Sequence, residues 1–449
     1  QNCTYDSVMN EEIFTSDYKP QPYWWDQTPR PELPSAALPA HCDVLIIGSG
    51  YTGLNAALVC ARAGIDTLVV DAEDAGFGCS SRNGGQISTS IKPSLQRLSK
   101  QYGAQRAFDI IKEGHHALQW MDDFVQEEQI ACDFQTCGRF HAAHTPRHFR
   151  QLVDATASQP QGLEVPFDII EKHNQHNELG TDAYHGGVIY HNHASVDPAA
   201  YHQGLLQLTL KADATVVSQC RVTAVDRHTG KFKVTTEQGQ VIAQQVIVAT
   251  NGYTGNITPW LQRRVIPIGS YIIATEALSP SVMNRLMPNN RIYSDTCKVV
   301  YYYRASPDRT RILFGGRVSS AETNPDVSAP RLKADLVRLF PELAGVRVSH
   351  SWMGFVAYTF DTLAHTGQHD GLYYAMGFCG SGVSMASYLG MRLGQKVAGL
   401  PQGKTAMDNT TFPTRPLYSG NPWFLPATVA AYRAIDRLQW RRARPAFHK

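Results

Sequence analysis

No Cys-x-x-Cys pair occurs among the nine cysteines of the chain. Cys132 and Cys137 stand closest together, and no second pair at zinc-ligand spacing accompanies them. That excludes a zinc ribbon and points to reduced, mostly buried thiols of a cytoplasmic protein. No apolar run approaches the ~20 residues that cross a bilayer. The opening QNCTYDSVMNEEIFTSDYKP has neither a basic n-region nor an apolar h-region, so it does not read as a secretory signal. Charge of one sign is also missing: Lys and Arg total 41 against 39 Asp and Glu. A protein that binds nucleic acid through counterion release carries a larger basic excess, so that partner is not expected. Neither an internal repeat nor a low-complexity block is present. What is present is a chain of 449 residues with 43% hydrophobic and 18% charged residues. This suffices for a large core in two to four domains, or in one interleaved pair.

The strongest local signal begins at Asp43. The run DVLII reads as a buried strand and leads directly into Gly48-Ser49-Gly50-Tyr51-Thr52-Gly53. LNAALVCARAG then reads as a helix closed by Gly64, and TLVVD as a second strand ending at Asp71. A phosphate needs close approach of backbone N–H groups and a helix N-terminus aimed at it. Gly48 permits the tight turn, Gly50 leaves room for a pyrophosphate, and Gly53 lets helix and strand pack closely. Asp71, about 20 residues on, suits an acceptor for ribose hydroxyls. The unit binds a dinucleotide.

Three further segments favour FAD over NAD, because FAD is long and draws on distant parts of a chain. Val246-Ile-Val-Ala-Thr-Asn-Gly252 is an apolar strand ending in a polar turn. Leu372 to Ser384 reads as strand and Gly-rich turn, followed by a helix whose N-terminal dipole suits a developing anion on a flavin ring. Ser80-Ser-Arg-Asn-Gly-Gly-Gln86 offers donors for a second stretch of ligand. Elsewhere, 91–130 and 199–212 read as helices. Strands are expected within 221–250 and at 265–276, 298–304 and 311–317, and a helix at 331–340. The region 131–194 reads as irregular, with solvated histidines His173, His176, His185, His191 and His193. In Tyr301-Tyr302-Tyr303 the middle ring must face away from its neighbours.

Taken together, Tyr23-Trp24-Trp25, the 43–71 unit, Arg82-Asn-Gly-Gly-Gln86, Val248 to Tyr253, Pro267 to Glu276, Phe314-Gly-Gly-Arg317, Trp352 to His365 and Gly377 to Ser384 resemble the FAD-dependent amine and amino-acid oxidase family. That family includes glycine oxidase, monomeric sarcosine oxidase and D-amino-acid dehydrogenases. Within it the likeness is strongest to the γ-glutamylputrescine oxidoreductase type.

The resemblance implies an α/β (α+β) fold. It has an FAD-binding Rossmann-like domain of discontinuous segments, of the glutathione-reductase type found in D-amino-acid oxidases, and a mixed-sheet substrate domain. The expected division is an N-terminal arm at 1–40 and an FAD domain from 41–100, 195–262 and 345–400. The substrate domain takes 101–194 and 263–344, and 401–449 forms a tail and helix. The implied reaction is hydride transfer from the carbon next to an amine nitrogen to FAD, with the imine hydrolysed to an aldehyde. The implied substrate is a γ-glutamylated or polyamine-type amine. N-methyl- or D-amino-acid oxidation, or a non-catalytic flavoprotein subunit, are the alternatives. Expected partners are a small-molecule amine and oxygen or another electron acceptor.

FAD contacts are expected from Gly48, Ser49, Gly50, Tyr51, Thr52, Gly53, Asp71, Ala72, Ser80, Ser81, Arg82, Asn83, Gly84, Gly85, Gln86, Val222, Ala249, Thr250, Gly377, Gly380, Ser381, Gly382, Val383 and Ser384. Candidate cavity residues are Gln86, Tyr271, Tyr302, Trp352 and Ser384, and no metal is expected. Sarcosine oxidases link flavin through a Cys near the position of Val356, so non-covalent FAD is implied here, with Cys79 and Cys379 as packing residues. Sarcosine-type carboxylate ligands align with neutral Gln86 and Ser384, which disfavours an α-amino acid held in that manner. Arg304 and Arg317, with Arg82 as the nearest alternative, are candidates for a distant substrate carboxylate. The Arg-rich C-terminal helix, Arg433 to Arg444, is expected to dock on the FAD domain.

Overall fold

A computed structural model describes residues 13–34, 36–317 and 323–443. Cys3, Arg444 and the first part of the 1–40 arm lie outside the described residues. Strand His41–Ile47 runs parallel to Thr67–Val70 on one side and to Gly239–Val248 on the other. Thr215–Val217 extends this parallel sheet beyond Thr67–Val70, and Leu372–Met376 beyond Gly239–Val248. The first half of Gly239–Val248 also closes an antiparallel meander with Val222–His228 and Lys231–Thr236. Both faces of the central strand are buried, which is why it reads as an unbroken apolar run. Val44 and Ile46 pack towards helices Tyr51–Arg62, Ala104–Glu127, Pro198–Lys211 and Gly382–Val397. Leu45 and Ile47 pack towards the meander. Each fully buried aliphatic side chain contributes about 1.5–3 kcal/mol.

The second sheet has nine strands in the order Phe14–Lys19, Val348–Thr359, Val265–Thr275, Ile312–Gly316, Tyr302–Ala305, Ile292–Asp295, Arg139–Ala142, Gly187–Tyr190 and Phe167–Ile170. One face holds a core of Tyr271, Ile273, Tyr293, Tyr303 and Phe314 under helix Pro325–Leu339. The other face is turned towards the first domain.

Two elements cross the expected domain limits. Helix Ala104–Glu127 buries Ile110, Ala117 and Met121 in the first domain's core, and strand Val348–Thr359 pairs along Val265–Thr275 in the nine-stranded sheet. The N-terminal arm is part of that sheet through Phe14–Lys19, and Trp24 is completely buried.

The 91–130 stretch is two helices, because Gly103 takes φ +84 between Leu95–Tyr102 and Ala104–Glu127. The 131–194 region is more ordered than expected. Thr145 caps His148 N–H and Pro146 starts helix Pro146–Ala157, a Thr-Pro start that the sequence did carry. Helix Pro325–Leu339 likewise begins on Pro325 and tolerates Pro330, so it is longer than the expected 331–340. His193 is buried rather than solvated.

The C-terminal helix Leu425–Ala443 docks on the nine-stranded sheet's side of the molecule, not on the first domain as expected. Asp436 accepts the N–H groups of Lys298 and Val299, both at 2.9 Å, and Gln439 Oε1 meets His144 Nε2 at 2.8 Å. Trp440 packs on His144 and Tyr184. His144, Cys297 and Asp436 thus bring ligand-type atoms within 4.8 Å of one another, but these pairings already account for His144 and Asp436. Among the described residues no helix is long and apolar enough to cross a membrane.

Candidate active site

The fingerprint turn is built by steric exclusion. A Cβ on Gly53 would collide with the Gly48 carbonyl oxygen, one on Gly48 with Ala249 O at 2.7 Å, and one on Gly50 with Ser80 Oγ at 2.7 Å. Gly48 also takes φ +106. Gly50 is the N-cap of helix Tyr51–Arg62 and supplies no side-chain acceptor, so the helix presents its first N–H groups outwards. Tyr51 N–H meets Ser80 Oγ at 3.0 Å, which ties the second loop to this turn. Asp71 Oδ2 accepts from Ser49 N (2.8 Å) and Ser49 Oγ (2.6 Å), and Oδ1 from Glu73 N (3.1 Å). These bonds fix the carboxylate at the edge of the turn. Ala72 follows it, and Val222 packs beside Val70 and Val217 in the neighbouring core.

A second helix brings its N-terminus to the same region. Helix Gly382–Val397 crosses Tyr51–Arg62 so closely that a Cβ on Gly390 would meet Thr52 backbone and one on Gly394 Ala56 backbone. Thr52 Oγ1 donates to Ala386 O at 3.1 Å. Ser381, its N-cap, makes no side-chain cap, so the backbone N–H groups of the first turn at Val383 and Ser384 form an uncapped positive end. Gly377 and Gly380 turn the preceding loop with φ +78 and +86. Thr250 follows Ala249 in the adjoining strand exit, its Oγ1 2.7 Å from Thr254 Oγ1.

The loop between the domains is clamped from several sides. Trp24 Nε1 donates to Asn83 O (2.9 Å), Trp352 Nε1 to Arg82 O (2.7 Å) and Trp25 Nε1 to Ser81 Oγ (3.1 Å). Gly84 lies against the Tyr302 ring, and Gly85 would meet Val196 O if it carried a Cβ. Gln86 Nε2 donates to Tyr303 O at 2.9 Å.

Register places a single row of side chains across the inner face of the nine-stranded sheet: Trp352, Ile272, Gly315, Tyr302, Ser294 and His141. Tyr302 OH bonds Ser270 Oγ at 2.7 Å. Tyr302 and Trp352 therefore share this face, while Tyr301 and Tyr303 turn to the opposite core. Gln86 reaches the same face. Tyr271 does not. It is one residue out of phase with Ile272, is fully buried among Phe314 and Tyr303, and its hydroxyl accepts from Thr323 N at 2.9 Å.

The arginine candidates are otherwise engaged. Arg304 is buried, and its Nη1 donates to Val196 O (2.8 Å) and Gly85 O (3.1 Å). Arg82 donates to Phe77 O (2.6 Å) and lies between the Trp25 and Phe77 rings. Arg317 donates to Gly269 O at 2.7 Å. Sequence reasoning missed Arg139, His141 and Ser294. Arg139 Nη1 donates to Ser294 Oγ (3.0 Å), and His141 Nδ1 lies 2.8 Å from the same oxygen. Burial pushes the His141 imidazole down to about 3, so it stays neutral.

Comparison with known proteins decides the family. Residues 43–396 match the family described as DAO, FAD dependent oxidoreductase. The chain belongs to this family of FAD-dependent oxidoreductases. It is 30% identical to the γ-glutamylputrescine oxidoreductase of Escherichia coli (strain K12) over 405 residues, which cover 88% of this chain and 93% of that protein. Its fold matches glycine oxidase from Geobacillus kaustophilus with a TM-score of 0.67 at 17% identity, covering 84% of this chain and 99% of that one. L-proline dehydrogenase from P. horikoshii matches with a TM-score of 0.67 at 15% identity, covering 87% and 99%.

The DAO-family cofactor fits the residues present. The Asp71 carboxylate at the edge of the Gly48–Gly53 turn suits ribose hydroxyls, and the first turns of helices Tyr51–Arg62 and Gly382–Val397, whose own N-cap side chains make no hydrogen bond, suit phosphate and flavin oxygens. Val356 faces the inner side of the sheet with no thiol. Burial pushes the thiols of Cys79 and Cys379 up to about 11, which keeps them protonated and poor nucleophiles. Acid precipitation of the purified holoprotein is therefore expected to release all flavin into the supernatant. Yellow colour left in the pellet would show a covalent bond.

Proposed function

We propose that this oxidoreductase oxidises a C–N bond of an amine whose carboxylate lies far from the reacting carbon, of the γ-glutamylated or polyamine type. FAD, held at the Gly48–Gly53 turn and the helix starting at Gly382, would supply the hydride acceptor for the carbon that carries the amine nitrogen. The chain's own residues set which amine reaches it. One observation carries the reading: the end of the row formed by Trp352, Ile272, Gly315 and Tyr302, with Gln86 reaching the same face, contains no cation, and Arg139 lies beyond Ser294 at the far end. A carboxylate on the reacting carbon would be desolvated there without a partner, which is costly. Arg82 and Arg304 do not supply one, since backbone carbonyls hold their guanidinium groups.

The walls favour the reactive form of the amine. Trp352 and Tyr302 are held by hydrogen bonds to Arg82 O and Ser270 Oγ, and they pack with Ile272 and Trp24 in an apolar cluster. An amine enclosed by such uncharged groups loses its proton more readily than in water. Likeness to the E. coli enzyme supports the γ-glutamyl end of the range. The test is steady-state kcat/KM of the holoenzyme for γ-glutamylputrescine, putrescine, sarcosine and a D-amino acid, with a dye as acceptor. γ-Glutamylputrescine is expected to exceed the two α-amino acids by at least tenfold, about 1.4 kcal/mol in transition-state binding. An α-amino acid that wins by the same margin overturns the proposal.

A further inference from the structure

Arg139 differs from every other arginine near the site. It opens strand Arg139–Ala142 on the inner face, out of phase with Phe140 and Ala142, which enter the opposite core. Its hydrogen-bond acceptors are neutral: Ser294 Oγ at 3.0 Å from Nη1 and His193 Nδ1 at 3.1 Å from Nε. No carboxylate among the described residues pairs with it. The residue as a whole is half-buried, and burial lowers its guanidinium to about 10.

The surroundings hold this charge in one pose. Nδ1 of His193 accepts from Arg139 at 3.1 Å, and its Nε2 lies against Thr89, 3.4 Å from Oγ1 and 3.5 Å from the backbone N. Ser294 Oγ accepts from Arg139 and lies 2.8 Å from His141 Nδ1. Both imidazoles are driven towards the neutral form by burial, so the cluster carries one net positive charge. Nη2 donates to no described protein acceptor. Arg304 makes an instructive contrast, because three backbone carbonyls surround it and leave it no task beyond the fold. An interior cation without a counter-ion is expensive to keep and fits a site that receives an anion from outside.

We infer that Arg139, positioned by Ser294 and His193, binds the remote carboxylate of the amine substrate. This deepens the proposed function and rests on it for the identity of the reacting amine. The placement suits a long substrate: Arg139 lies two strands from Tyr302 and two residues along from His141, a Cα separation of about 12 Å. An amine with its carboxylate beyond a spacer of that length spans from the aromatic wall to the guanidinium, whereas a glycine- or sarcosine-sized molecule does not.

The test separates binding from turnover. N-pentyl-γ-glutamide lacks the reacting amine but keeps the α-carboxylate, and its α-carboxamide counterpart lacks the charge. Their Kd values are read from perturbation of the holoenzyme's flavin absorbance, for wild type, Arg139→Met and Arg139→Lys. In wild type the carboxylate is expected to bind at least 30-fold tighter than the carboxamide, and in Arg139→Met that preference disappears. If Arg139→Met loses its flavin, Arg139→Lys decides, because a point charge replaces the planar fork and the preference falls about tenfold. An unchanged preference in either folded variant, or none in wild type, overturns the inference. A wild type that prefers the carboxylate probe but oxidises sarcosine best overturns the proposed function instead.

Discussion

Gly53→Ala is expected to yield a colourless protein. The added methyl would overlap the carbonyl oxygen of Gly48 and approach Ile46 Cγ2 to 3.3 Å. The first obstacle is backbone, so no side-chain rotation relieves it. Moving Gly48 away is blocked as well, since it sits in the left-handed region beside Ala249 O, at the point where two parallel strands end. The helix must therefore lift from the strand, and its first-turn N–H groups leave the place where they meet a pyrophosphate. Overpacking of this kind typically costs about 1–3 kcal/mol, and the loss of aligned donors adds to the effect on FAD affinity. Gly64→Ala is the control. A Cβ there meets nothing within 4 Å, and only the φ of +77 opposes it, at about 1–2 kcal/mol. The ratio of 450 to 280 nm absorbance after gel filtration reads the outcome. Stoichiometric FAD in Gly53→Ala would mean that the turn does not hold the cofactor as described.

What the sequence disclosed about this site follows the length scale of each feature. The turn at Gly48 to Gly53, Asp71 and the helix beginning at Gly382 are local, because glycine spacing and the end of an apolar run fix them within one or two elements. The phase within Tyr301-Tyr302-Tyr303 was legible for the same reason, since a strand alternates. Which phase faces the site was not. Tyr271 and Tyr302 are both strand tyrosines, and only the pairing of Ile272 with Trp352 and Gly315 puts one behind the sheet and the other in front.

Arg139 was hidden more deeply. Its neighbours in the cluster are Ser294 and His193, 155 and 54 residues away, and nothing in Cys-Gly-Arg-Phe announces them. The converse error is Arg304, a plausible anion ligand by composition that the fold spends on Gly85 and Val196 carbonyls. The C-terminal helix shows the same limit. Its apolar side chains Tyr432, Ile435 and Leu438, which read as the docking face, stay exposed, and it buries Leu425, Val429 and Asp436 instead, because its partner, the Lys298–Val299 turn, is set by tertiary structure.

Asp295→Asn is expected to change how stability depends on pH. Asp295 follows Ser294 on the same strand and points to the opposite, apolar side, where it is 1% exposed. Burial raises its carboxyl from the ordinary 3.8 to about 7, against the opposing pull of the Tyr184 hydroxyl at 2.9 Å and the N–H groups of Cys297 and Tyr301 at 3.2 Å. The folded state thus holds a proton that the unfolded chain has already released. Between about pH 4 and pH 7 the folded chain binds one proton more, so this group lowers stability as pH rises through that window. Below pH 4 both states are protonated and the effect is absent. Above pH 7 the full difference applies, and a rise from 3.8 to about 7 corresponds to about 4 kcal/mol. Asparagine keeps an acceptor for the two N–H groups and turns its amide towards Tyr184, whose hydroxyl then accepts. The variant is therefore expected to match wild type near pH 4 and to exceed it progressively up to pH 8, read as the difference in urea midpoint across that range. Acid effects common to all other carboxylates cancel in this difference. A gap that stays constant from pH 4.5 to 8.5 would show that Asp295 titrates at its ordinary value in the folded protein.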